Sequence, residues 1–181
     1  MIRFVASIFL IALGSVQAAD APAPSEKLAK QLGPKVLDYL KRVEKIEAFK
    51  VGDLDEKRAG DADRVSGRII IGEAVALNKE QFNDLLKALN ADDTHFRASS
   101  LGTTNAAVGY RLWTDREECL EASCCLKKGN LRFTLKDAEG KKVLDRGIGG
   151  FRDDKASPMR TITAAIFPND KDIVGAAPKK P

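Results

Sequence analysis

Apolar residues recur along this chain with two different periods, and the switches between them mark its elements. Residues 34–46, PKVLDYLKRVEKI, place Val36, Leu37, Leu40 and Val43 at helical spacing, and Pro34 suits a first turn. From Glu47 to Leu54 the pattern is extended, with Ala48, Phe49, Val51 and Leu54 apolar, which predicts a strand. Asp55 to Arg64 is charged and contains Gly60, as a surface loop would be. Val65 to Leu77, VSGRIIIGEAVAL, is rich in β-branched residues and predicts the strongest strand. Asn78 then stands as an N-cap, with Gln81 three residues on as its capping-box partner. Phe82, Leu85, Leu86 and Leu89 follow at i, i+3, i+4 and i+7, a stripe that should pack the helix on the sheet.

The second half is organised around a hairpin. Residues 98–109, ASSLGTTNAAVG, read as a loop, and Gly109 to Thr114 as a short strand. Leu131, Phe133 and Leu135 alternate with Arg132, Thr134 and Lys136, which argues one buried face. Asp137-Ala138-Glu139-Gly140 supplies turn chemistry, and Asn130 to Ile148 is predicted to be a hairpin whose return strand alternates poorly. Ser157 and Pro158 open a final helix with Met159, Ile162 and Ile166 inward, and Pro168 ends it. Hairpins and local crossovers predict a single α+β domain, an antiparallel sheet of about four to five strands with two or three helices packed on it.

The N-terminus changes the picture of where that domain works. Arg3 precedes a continuous apolar run from Phe4 to Leu13, and Val16-Gln17-Ala18 sets small residues at −3 and −1 of a cleavage site. The run is too short to span a bilayer, which takes about twenty apolar residues. These features predict a signal peptide over 1–18, an Ala/Pro leader over 19–33, the α+β domain over 34–174 and a flexible tail over 175–181. A periplasmic or secreted protein follows, with no transmembrane segment in the mature chain. The formal net charge of +4 is spread among alternating acids and bases, without the basic clustering and interleaved aromatics of nucleic-acid binding.

Chemistry concentrates in one stretch. Cys119, Cys124 and Cys125 are all the cysteines of the chain. An oxidising compartment makes them disulfide candidates, Cys119 with Cys124 or Cys125, leaving one thiol that is buried or pairs with a second chain in a dimer. A metal centre is the alternative, with His95, the sole histidine, joining Cys119, Cys124 and Cys125 as fourth ligand. Adjacent cysteines do not give the C-x₂-C spacing of such sites, and the C-x-x-C of thiol–disulfide exchange is missing, so inert reduced thiols are the remaining reading. Asp92 and Asp93 stand just before His95, but no G-x-S-x-G elbow accompanies them. Gly147 to Phe151, GIGGF, has neither dinucleotide spacing nor a phosphate-loop lysine. Asp61 and Asp63 lack the other ligands of a calcium loop, and Asp145, Asp153 and Asp154 read as solvated.

Three segments, GEAVALNKEQFNDLLKAL, CCLKKGNLRFTLKDAEGKKVLD and ITAAIFPNDKDI, together resemble small exported proteins, mostly bacterial and functionally uncharacterised. In that group a strand and a helix precede a Cys-containing turn, a hairpin and a last helix ending in FP. The resemblance implies the α+β order and no activity. Members often carry further cysteines near the hairpin's end, where this chain has Gly149-Gly150, so a shared metal or disulfide site is not implied. The sequence expectation is a non-catalytic binding or interaction module without a cofactor. A Cys-based metal or thiol-redox module is the second expectation.

Overall fold

A computed structural model describes residues 25–52, 63–91, 107–115, 118–126, 129–148 and 158–176. The expected signal peptide, its cleavage site and His95 lie outside the described residues, as do Asp61, Asp92, Asp93, Asp153, Asp154, residues 149–151 and 177–181.

Five helices and eight strands are present among the described residues. Helices α1 (Glu26–Leu32) and α2 (Pro34–Leu40) lead into β1 (Lys45–Gly52). Then come β2 (Arg64–Val65), β3 (Arg68–Ile70), β4 (Val75–Ala76) and α3 (Lys79–Leu89). Strands β5 (Ala107–Trp113), β6 (Cys119–Cys125), β7 (Asn130–Lys136) and β8 (Lys142–Ile148) form a meander, followed by α4 (Pro158–Ile166) and α5 (Lys171–Ala176). The strand order is β2-β3-β1-β5-β6-β7-β8, with β4 also on β1, and every pairing is antiparallel. The α+β class stands, with a larger sheet and more helices than the sequence pattern implied.

All five helices feed one core. Leu28 and Leu32 of α1, Tyr39 and Leu40 of α2, and Phe82, Leu85, Leu86 and Leu89 of α3 pack with Met159, Ile166 and Ile173 of α4 and α5. They cover one face of the sheet, built from Ile46, Ala48, Val108, Tyr110, Leu112, Leu120, Ala122, Cys124, Leu131 and Phe133. The α3 cap forms as expected: Asn78 Oδ1 accepts from the Gln81 N–H at 2.9 Å, and Gln81 Oε1 accepts from the Asn78 N–H at 3.1 Å. The segment expected to be a leader contains α1, whose Leu28 and Leu32 are fully buried.

Two boundaries move. The helix expected over 34–46 ends at Leu40, and β1 starts at Lys45, so that Val43 reaches the core from the connection. The expected long strand over 65–77 breaks at Ser66-Gly67, which takes φ of +48° and +83°. Positive φ at both central residues is the two-residue hairpin turn whose twist matches its strands. Hence β2 and β3 fold back as a small hairpin.

That hairpin lies over the second face of the sheet. Val65 packs with Phe49 and Val51 in a separate small core. Gly109 of β5 permits this: a Cβ there would sit 2.8 Å from Val65 Cβ and 3.0 Å from Val51 Cγ1. Covered by helices on one side and approached by the hairpin on the other, β6 is buried at all seven positions.

Candidate functional site

Antiparallel register sets the side chains of the second face in rows. One row runs Glu47–Arg111–Glu121–Thr134–Asp145, and the next runs Lys45–Trp113–Cys119–Lys136–Lys142. Charged residues at alternate positions of β1, β5, β6 and β7 therefore converge on one surface, while their neighbours enter the helix-side core. The result is a polar cluster beneath the β2–β3 turn.

Glu121 is its centre, with only 2% of its surface exposed. Burying a carboxylate is costly unless partners replace its water. Lys136 Nζ donates to Oε1 at 2.6 Å, and the Ser66 backbone N–H donates to Oε2 at 2.7 Å. Arg111 Nε stands 3.6 Å from Oε1. The Ser66 and Thr134 hydroxyls share a hydrogen bond of 2.8 Å, so the turn is fixed at both its backbone and its side chain.

Arg111 links this cluster to the hairpin's other end. Its Nη1 donates to Asp63 Oδ2 at 3.0 Å and its Nη2 to the Arg64 carbonyl at 3.1 Å, while the guanidinium lies 5.1 Å from the Phe49 ring centroid. Hydrogen bonds from Arg111 hold the Asp63 carboxyl below its ordinary range, more than offsetting its partial burial. Trp113 donates its indole N–H to Glu47 Oε2 at 2.9 Å, and Lys45 reaches Glu47 Oε1 at 2.8 Å. Burial works against the Glu47 carboxylate, yet these two donors keep its pKa below the usual value. Asp145 is paired, not merely solvated: hydrogen bonds from Arg132 at 2.8 and 2.6 Å, with Lys142 alongside, drive it far below the carboxylate range.

Beside the cluster a cavity of about 290 Å³ opens to solvent. Arg111, Trp113, Cys119, Glu121 and Lys136 form its sheet side, and the β7–β8 turn closes it with Asp137, Ala138 and Gly140. The Asp137 carboxylate is engaged by the Lys141 backbone N–H at 2.7 Å.

The cysteines do not form the expected staple. All three are free and buried. They lie on one continuous strand instead of a turn, and an extended chain places residues five or six positions apart about 17–20 Å from each other. A disulfide requires Cα atoms about 4.4–6.8 Å apart. Cys119 and Cys125 belong to the second face, whereas Cys124 enters the helix-side core, so the three thiols do not converge. Among the described residues no group of three or more His, Cys, Asp or Glu side chains is placed to hold a metal ion. Burial, reinforced by the Glu121 charge, pushes the Cys119 thiol up to about 12. Burial likewise raises the Cys124 thiol far above its ordinary value.

The pocket residues Arg111, Trp113, Glu121 and Lys136 were not singled out by motif. Alternation marked Arg132, Thr134 and Lys136 as a polar face, and the i, i+2 spacing of Arg111 and Trp113 in GYRLWT carries the same signal. Glu121 had no such signal, because its strand reads as a cysteine turn. Comparison with protein-family models, with curated proteins and with solved structures yields no match. No helix among the described residues is long and apolar enough to cross a membrane.

Proposed function

We propose that this chain is a non-catalytic binding module that acts outside the cytoplasm, and that the cavity beside Trp113 is its ligand site. The observation that carries the reading is the closure of the polar cluster on itself. Glu121, Asp63 and Glu47 are each engaged by donors of the cluster, and Glu121, the buried carboxylate of the cavity's sheet side, is held by Lys136 and Ser66, which makes it a poor general base. The neighbouring thiol is held protonated, and only the thiolate is a strong nucleophile. Preformed concave sites with a few fixed polar groups are suited to holding a small molecule.

Trp113 is the only tryptophan, so its emission reports on this cavity alone. A thermal-shift screen of small molecules, read together with Trp113 emission, tests the proposal. The expected result is a compound that stabilises the protein, shifts the emission and is recovered unchanged. Recovery of a converted compound would make the chain an enzyme, and stabilisation without any change at Trp113 would move the site elsewhere. Export rests on the apolar run before Val16-Gln17-Ala18. N-terminal sequencing of protein from outside the cytoplasm should begin at Ala19, and a retained Met1 to Leu13 would refute it.

A further inference from the structure

We infer that the Trp113 cavity selects a small organic anion, a carboxylate or phosphate monoester carried on a flat apolar body. This inference rests on the reading of the cavity as a ligand site and names the chemistry it would accept. The polar groups of the wall differ in how far they are already engaged. Glu121, the buried acceptor of the sheet side, is engaged by Lys136 and Ser66, and Asp137 of the closing turn gives one oxygen to the Lys141 N–H. Two of its donor groups are engaged as well, the Trp113 N–H by Glu47 and the Arg111 guanidinium by Asp63 and the Arg64 carbonyl.

Lys136 differs. An ammonium has three N–H donors, and among the described residues Lys136 gives one, to Glu121. On the sheet side the remaining polar capacity is thus donor capacity on a cation, while Asp137 of the β7–β8 turn keeps acceptor capacity on the opposite side among the described residues. The sheet side's remaining apolar capacity is the indole of Trp113 and the protonated thiol of Cys119, which behaves as a small apolar group. Trp113 and Lys136 are separated by one strand, about 10 Å apart across the sheet at the usual strand spacing. One molecule with an apolar ring and an acidic end therefore meets both.

The two ends of the Trp113–Lys136 row carry the same sign of charge. In the ion pairs Lys45–Glu47 and Lys142–Asp145 the lysine is the exposed partner, at 61% and 53%, and the acid is mostly buried, at 21% and 22%. Both lysines belong to the Trp113–Lys136 row, one on each side. Solvent therefore sees the cations while their counter-ions lie beneath, a layout that attracts anions and weakens with salt.

Calorimetric titration of the mature chain with benzoate, phenyl phosphate, benzyl alcohol and acetate, with Trp113 emission in parallel, tests this. Benzoate or phenyl phosphate should bind about tenfold or more tightly than benzyl alcohol and acetate, the size of one charge-assisted hydrogen bond. The stronger of the two identifies the acidic group. Added salt should weaken the anions alone. Lys136→Gln should lower anion affinity about tenfold and leave benzyl alcohol unchanged, a difference that loss of the fold would not produce. Because Lys136 also supports Glu121, the exposed double variant Lys45→Gln/Lys142→Gln provides a second arm, expected to lower anion affinity severalfold. Equal binding of benzyl alcohol and benzoate would overturn the anion preference while leaving the site in place. Anion binding unaffected by both sets of variants, or binding silent at Trp113, would overturn the assignment to this cavity.

Discussion

Between about pH 9 and pH 12 the folded Cys119 keeps a proton that an unfolded chain would release. Its pKa rises from the ordinary 9.0 to about 12, first through burial and then through the Glu121 charge beside it. Because the folded state keeps the proton longer, the unfolded state gains stability as pH passes its own thiol pKa. Stability from this group is full below about pH 9 and declines toward pH 12. Melting temperatures measured between these limits should fall with rising pH, and less steeply in Cys119→Ala. An unchanged slope would mean that the thiol is solvated. The same geometry fixes the thiol count. Denaturation without reductant should expose three alkylatable cysteines per chain, and the native protein should alkylate slowly. One reactive thiol after denaturation would restore the disulfide that the strand geometry excludes.

Whole elements differ in how plainly the sequence announced them, and local chemistry explains the difference. Helix α3 was legible because its cap and its stripe are contained within its own residues, Asn78 to Leu89. The β7–β8 hairpin was legible for the same reason, through the alternation of Leu131 to Lys136 and the turn around Gly140. Leu86 is 3% exposed, and Leu86→Ala should cost about 2–4 kcal/mol in denaturant melts, the range for a buried cavity that relaxes in part. A loss below about 0.5 kcal/mol would contradict that packing. Strand β6 was not legible, since Cys119 to Cys125 contains no β-branched or aromatic residue, and its conformation is imposed by β5 and β7 on its two sides. The Ser66-Gly67 turn was hidden inside a run of strand-forming residues. The space above Gly109 shows why it matters. Gly109→Ala would drive a Cβ into Val65, and neither backbone nor branched side chain can move aside cheaply. The expected cost is about 1–3 kcal/mol, together with loss of hydrogen-exchange protection in β2 and β3. A variant as stable as the parent would show that the hairpin does not bear on β5.

Considered as a whole, the molecule has two faces of unlike character on one sheet, and Glu121 is where the second face is joined to the hairpin above it. The helix-side core needs only apolar periodicity, which is why most of it was readable from sequence. The second face depends on pairings between residues far apart in the chain, Ser66 with Glu121 and Thr134, and Arg111 with Asp63, and no local pattern encodes them. That dependence makes Glu121 the point at which the two readings of the face, structural anchor or pocket wall, can be separated. Glu121→Ala would leave the buried Ser66 N–H without its acceptor and set Lys136 and Arg111 beside each other without their shared anion. An orphaned buried donor costs about 1–3 kcal/mol, and the uncompensated cations add to it, so a loss of about 2–4 kcal/mol is expected. Glu121→Gln keeps an acceptor for Ser66 and removes only the charge, so it should cost less than half as much. Urea melts of the two variants, with hydrogen exchange at Ser66, measure both parts. Equal losses would assign the anchor to charge alone. A small loss in Glu121→Ala with Ser66 still protected would show that Thr134 and Arg111 suffice to hold the hairpin, leaving Glu121 as a wall of the cavity whose burial serves the ligand site instead of the fold.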